Sequence, residues 1–208
     1  VYSHYAANSR GVATLANMPN NADLHGRTDD EGRIAALQIS AADRNLIVVS
    51  AYAPNVSPAA DAIAEYARFI ARLRATLVWA RNLGNDFGTL VLGDLNICLG
   101  PNDYAGTPPS HPEISIGQLE DLMIDFDLVD LERSLVDPEG VIYTWARQNT
   151  FRRLDYALAT ANVVDIVQEV TRRHSDLSDH LAIRVRLAPA AAVERPPVWK
   201  HKDALNTS

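Results

Sequence analysis

Asp94 and Asn96 close the tetrapeptide Gly93-Asp94-Leu95-Asn96, which follows the apolar run Leu90-Val91-Leu92. On an extended segment, side chains two apart project to one face, so a carboxylate and an amide would point together. Such a pair can hold a water and a phosphate oxygen, or a hard cation that prefers oxygen ligands. Gly, Asp and Asn are also turn residues, and the tetrapeptide reads equally as the turn that ends a strand. A second cluster, Ser178-Asp179-His180, precedes another apolar run. It sets an acid beside the side chain whose ordinary pKa suits proton transfer at neutral pH, although a lone tripeptide of this kind is also a common surface loop. The third, Arg153-Leu154-Asp155-Tyr156, opens an apolar run in which Asp155 is either a functional carboxylate or a strand-end acid paired with an arginine.

Short apolar runs bounded by Asn, Asp, Gly or Pro must position these clusters. Gly11 to Ala16, Arg33 to Ile39, Leu46 to Tyr52 and Thr89 to Leu92 read as strands. So do Ile142 to Ala146, Leu154 to Thr160, Ile166 to Thr171 and Leu181 to Leu187, the last alternating apolar and polar residues as a half-buried strand does. Ser57-Pro58 is expected to open a long helix, with Ser as cap and Pro in its first turn. Ile63, Tyr66, Ala67, Ile70, Leu73 and Leu77 lie on one face of it, and Leu83-Gly84-Asn85 stops it. A second helix is expected from Ile116 to Phe126, after a Pro- and Gly-rich loop from Gly100 to Pro112. Hairpin-like strands mixed with two long helices predict an α/β sandwich of two sheets with helices outside. Residues 1–188 would form one domain, and the unpatterned stretch 189–208 a linker.

With 47% apolar and 22% charged residues, the composition is that of an ordinary globular domain. The single cysteine, Cys98, excludes an intrachain disulfide and fits a reducing, intracellular setting. Cys98 reads as a small buried residue and not a nucleophile, because no histidine is near it in sequence. No apolar run approaches the length of a membrane span, and no leader follows Val1. The net charge of −7 argues against a dedicated nucleic-acid coat. Clustered carboxylates suit a metal-using phosphodiesterase, whose basic contacts can be local. Seven arginines against five acids between Ala146 and Leu187 make that segment mildly basic; any one of them reads equally as part of a solvated face.

In this order, each at a strand edge, the three clusters resemble the endonuclease/exonuclease/phosphatase superfamily. Ser50-Ala51-Tyr52-Ala53-Pro54-Asn55, Ser9-Arg10-Gly11-Val12-Ala13, Glu31-Gly32-Arg33 and Tyr143-Thr144-Trp145 look like further signatures of it. The resemblance implies a four-layered sandwich, two packed mixed sheets flanked by helices. It also implies roles. Asp94 would deprotonate the attacking water and Asn96 bind a phosphate oxygen. His180 would stabilise charge on the phosphate, oriented by Asp155. Asp179 would help bind Mg²⁺, with Mn²⁺ as a substitute, and Tyr52 and Asn55 would line the phosphate pocket; a core aromatic and a loop cap are their plainer readings. Val198-Trp199-Lys200 with Leu205-Asn206, and Phe126 to Leu131, are similar to the LINE-type retrotransposon branch, which implies DNA as substrate, a reverse transcriptase in cis and a nuclear setting. The family's first strand, its following helix, an Asn and the principal metal-binding Glu are expected upstream of Val1, which makes the chain an N-terminally truncated domain of reduced stability and activity. Two other readings stay open: a small-molecule or lipid phosphodiesterase of the same superfamily, and a catalytically dead relic.

Overall fold

The computed structural model describes residues 2–3, 11–17, 22–41, 44–84, 86–176 and 178–188. In chain order these form β1 (Tyr2–Ser3), β2 (Ala13–Thr14), β3 (Asp23–Thr28), β4 (Ile34–Ala41), β5 (Arg44–Tyr52), α1 (Ala60–Asn82) and β6 (Phe87–Asp94). There follow β7 (Tyr104–Ala105), α2 (Glu113–Asp125), β8 (Val129–Asp130), α3 (Leu131–Leu135), β9 (Trp145–Arg147), β10 (Thr150–Arg152), β11 (Asp155–Ala159), α4 (Ala161–Val164), β12 (Val167–Arg173) and β13 (Ala182–Leu187).

The centre is a mixed six-stranded sheet in the order β3-β4-β5-β6-β11-β8. Only β5 and β6 run parallel, and α1 is the crossover between them. Both faces of the central strands are covered, which is why they read as continuous apolar runs. Alternate residues serve the two faces. Ile47, Val49, Val91, Tyr156 and Leu158 pack against Tyr66, Phe69, Ile70 and Leu73 of α1 and Leu119 and Leu122 of α2. Leu46, Leu90, Ala157 and Ala159 meet Val170 of β12, with Ile183, Val185 and Leu187 of β13 against them. The result is the expected α/β sandwich. Helices α1 and α2 lie on one face of the main sheet; the second sheet, seen as the β12–β13 hairpin, lies on the other together with the short helices α3 and α4. A smaller sheet, β7-β10-β9, stands beside the site end. No described helix is long and apolar enough to cross a membrane.

Several boundaries shift. Helix α1 begins at Ala60, not at Ser57-Pro58; Ala59 is its N-cap and lends no side-chain bond, while Ser57 Oγ accepts only from the Ala59 N–H at 3.4 Å. Helix α2 begins at Glu113, with Pro112 as N-cap. The strand expected from Gly11 is confined to Ala13–Thr14, and that from Ile142 to Trp145–Arg147. Strand β3, DLHGRT, lacks apolar alternation because it is a largely exposed edge. Ser9-Arg10, Asn85, the linker 189–208 and the Val198 to Asn206 stretch lie outside the described residues.

Candidate active site

Ladder register sets one row of the sheet. Asp94, the last residue of β6, stands opposite Asp155, the first residue of β11, and is also the partner of Tyr52 at the end of β5. Neighbours in register project to the same face, so three polar side chains meet where three apolar strands end. Gly93 makes the approach possible. Its φ of +151° disfavours any side chain, and a Cβ there would lie 1.9 Å from the Ala51 carbonyl oxygen.

His180 arrives from the second sheet. An isolated bridge pairs it with Trp145, and the Leu181 N–H donates to the Thr144 carbonyl at 2.6 Å. Its Nδ1 lies 2.7 Å from Asp155 Oδ2. Ligand atoms of Asp94, Asp155 and His180 all fall within 4.8 Å of one another. Beside them a cleft of about 530 Å³ is lined by Val12, Ser50, Gly93, Ser178 and Ile183, with Asp155 and His180 on its wall. A cavity of about 340 Å³ at the opposite end of β6 has, among the described residues, Arg81 and Asp127 as its charged lining, so the chemistry singles out the first.

Electrostatics set the Asp94 carboxyl apart from the His180 imidazole. Burial, and then the neighbouring Asp155 carboxylate, push the Asp94 carboxyl up to about 7. The hydrogen bond to Asp155, added to the charge of the surrounding acids, raises the His180 pKa against the cost of burial. A carboxyl poised near neutrality therefore faces an imidazole biased toward its protonated form. Such divergent environments are what acid–base chemistry at neutral pH requires.

The remaining candidates are placed differently. Asp94 and Asn96 do not share the face of an extended strand, because β6 ends at Asp94 and Asn96 takes a φ of +52°. The pair forms a turn in which the Asn96 N–H donates to Asp94 Oδ1 at 2.9 Å, while Asn96 Nδ2 donates to the Ala53 carbonyl at 2.8 Å. Asp179 is exposed and stands outside the three-residue group; its Oδ2 accepts from Trp145 Nε1 at 2.8 Å. Tyr52 lies under the Arg33 guanidinium, 5.6 Å from its ring centroid, and Arg33 in turn pairs with Glu65 at 3.2 Å. Asn55 is exposed on the loop after β5. Glu31 is bound through both oxygens by Arg72 at 2.7 Å. Cys98 does have a histidine nearby in space, since its N–H donates to His111 Nδ1 at 2.9 Å. Burial nonetheless pushes its thiol up to about 11, away from nucleophilic use.

Two features were hidden in the motifs. Trp145, quoted above only as part of a signature, anchors Asp179. Arg153, two residues before Asp155, does not pair with it. Instead it is 1% exposed, bonds Asp130 at 2.6 Å, lies near Asp103 and Glu132, and stacks 4.4 Å over Tyr156. This buried cluster braces the start of β11 from beneath.

For a divalent cation the donor chemistry fits. Asp94 and Asp155 supply hard oxygens; burial does most to raise the Asp94 pKa, and the Asp155 carboxylate beside it adds a negative charge that a cation would offset. Among the hydrogen bonds of the described residues, Asp155 and Asp179 each keep one carboxylate oxygen unengaged.

The sequence matches the model of the Endonuclease/Exonuclease/phosphatase family over residues 1–180. It is 25% identical, over 98% of its length, to the transposon TX1 uncharacterized 149 kDa protein of Xenopus laevis, of which it spans only 15%. Solved structures with this fold include the AP endonuclease LMAP of Leishmania major, at a TM-score of 0.67 and 19% identity, covering 77% of this chain and 56% of that one. The AP endonuclease of Archaeoglobus fulgidus matches at 0.64 and 17% identity, over 82% and 71% of the two chains. The Neisseria 3′ phosphatase NExo, bound to a product DNA hairpin, matches at 0.59 and 18%, over 82% and 71%.

Proposed function

Because the chain belongs to the Endonuclease/Exonuclease/phosphatase family, we propose that it hydrolyses phosphodiester bonds in DNA, with magnesium or manganese, as the nuclease part of a retroelement protein. The observation that carries this reading is the convergence of Asp94, Asp155 and His180 at the ends of apolar strands. Ionised Asp94 takes a proton from a water molecule, whose oxygen forms a bond to phosphorus as the ester P–O bond breaks, and the departing alkoxide takes a proton from solvent to leave as the alcohol. His180, kept protonated by Asp155, stabilises the charge that gathers on the phosphate oxygens. Asn96 fixes the Asp94 carboxylate through its backbone N–H and keeps one amide hydrogen, beyond that given to Ala53, for a phosphate oxygen. Tyr52 and Asn55 flank the phosphate. A cation drawn to the Asp94 and Asp155 carboxylates, with Asp179 helping to hold it, would supply charge neutralisation of the scissile phosphate. Positioning and electrostatics account for most of the catalysis in phosphate chemistry of this kind.

Support for the retroelement assignment is that nearly the whole chain aligns with a small part of a transposon-encoded protein. A reverse transcriptase in cis and a nuclear site of action follow from that assignment. Nicking of supercoiled plasmid in Mg²⁺ tests the function: a chelator-sensitive nick lost in His180→Ala supports it, and equal nicking by the two proteins rejects it.

A further inference from the structure

We propose that Thr144 is a positioning residue for the Asp155–His180 pair, tying the two sheets together where the carboxylate of one meets the imidazole of the other. Thr144 has no exposed surface. Its Oγ1 accepts from the Leu154 N–H at 3.1 Å and from the Asp155 N–H at 3.0 Å. Its own N–H donates to the Arg152 carbonyl at 2.8 Å, and its carbonyl accepts from the Leu181 N–H at 2.6 Å. One residue therefore grips the backbone of Asp155 by its side chain and the backbone beside His180 by its main chain. The next two residues continue the second grip. Trp145 bridges His180 and bonds Asp179, and the Ala146 N–H donates to the Asp179 carbonyl at 3.4 Å.

Alternative supports are few. Asp155 is the first residue of β11, where the ladder to β6 has only begun, and His180 precedes β13. The β12–β13 hairpin meets the main sheet through apolar packing, which is non-directional and sets no hydrogen-bond geometry. The 2.7 Å Asp155–His180 bond needs a directional tie, and the Thr144 hydroxyl oxygen with its carbonyl supplies one.

The test separates packing from positioning. Thr144→Val keeps the shape and removes the acceptor; Thr144→Ser keeps the acceptor and loses a buried methyl. The inference rests on the function proposed above only for its kinetic readout, so a spectroscopic one accompanies it: the hydrogen-bonded Nδ1 proton of His180, followed by NMR in the full chain. Thr144→Val is expected to lose that resonance and to lower kcat for plasmid nicking by roughly 10²-fold with KM little changed, as a misplacement of about 1 Å can. Thr144→Ser is expected to keep both, even if it melts lower. A Thr144→Val protein with the wild-type resonance and rate, or a Thr144→Ser protein as impaired as Thr144→Val, overturns the assignment. Should Thr144→Val not fold, Thr144→Ala is scored by the same criteria. If the wild-type chain does not nick, the proposed function falls and the resonance alone decides between the two outcomes for Thr144.

Discussion

His180 Nδ1 lies 2.7 Å from Asp155 Oδ2, and Asp155 itself stands opposite Asp94 across the β6–β11 ladder. A histidine carried by one sheet is thus held by a carboxylate of the other, beside a second carboxyl that burial keeps near neutrality.

Replacing Asp155 by Asn keeps the shape and removes the charge that favours the imidazolium. The His180 pKa should fall back, so the alkaline limb of a pH–rate profile moves to lower pH. Nicking at neutral pH should drop on the order of 10²-fold, as when one transition-state contact is lost. Rates measured from pH 6 to 9 check both effects; an unmoved alkaline limb would show that Asp155 does not govern His180.

The raised Asp94 pKa makes a stability prediction of definite sign. A carboxyl that binds its proton more tightly in the fold lowers stability as pH rises from its unfolded value toward about 7. Asp94→Asn should therefore melt above wild type at pH 8, by about 2–4 °C for each kcal/mol recovered. The gap should close toward about pH 3, below the ordinary carboxyl value of 3.8, where the wild-type carboxyl is protonated in both states. Thermal melts at the two pH values decide it, and nicking should be lost at both.

Much of this was legible in the chain because strands of a covered sheet advertise themselves as apolar runs. Leu90-Val91-Leu92 marks β6, and Tyr156 to Ala159 marks β11. Polar residues at their ends then stand out as the site. Other features were not legible for physical reasons. Edge strand β3 carries no apolar alternation. Arg153 looks like a surface arginine until two buried acids, Asp103 and Glu132, and the half-buried Asp130, all distant in sequence, are brought around it. The same-face argument for Asp94 and Asn96 failed because the left-handed backbone of Asn96 ends the strand between them.

Arg153→Ala should leave Asp103, Asp130 and Glu132 facing one another with only Arg133 and Arg172 at their margin. Removing one partner from a buried ionic cluster costs about 3–5 kcal/mol. Denaturant unfolding should show a loss of that order, whereas Arg147→Ala, on the exposed end of β9, should change stability by no more than about 0.5 kcal/mol.

Metal dependence can be dissected at Asp179. If its carboxylate helps hold the cation, Asp179→Asn should keep the fold and shift the Mg²⁺ titration of nicking to several-fold higher concentration. Trp145→Phe, which removes the indole N–H that orients Asp179, should shift it in the same direction by less. Unchanged titrations in both variants would remove Asp179 from the metal site.

The most direct measurement is the rate at which the 208-residue chain converts supercoiled plasmid to nicked circle in Mg²⁺ or Mn²⁺, beside His180→Ala and Asp94→Ala proteins shown by thermal melts to be folded. The account predicts nicking by the wild-type chain that a chelator abolishes, reduced at least about 10²-fold in each variant. A wild-type chain that leaves the plasmid intact, or folded variants that nick as fast as it does, would contradict it.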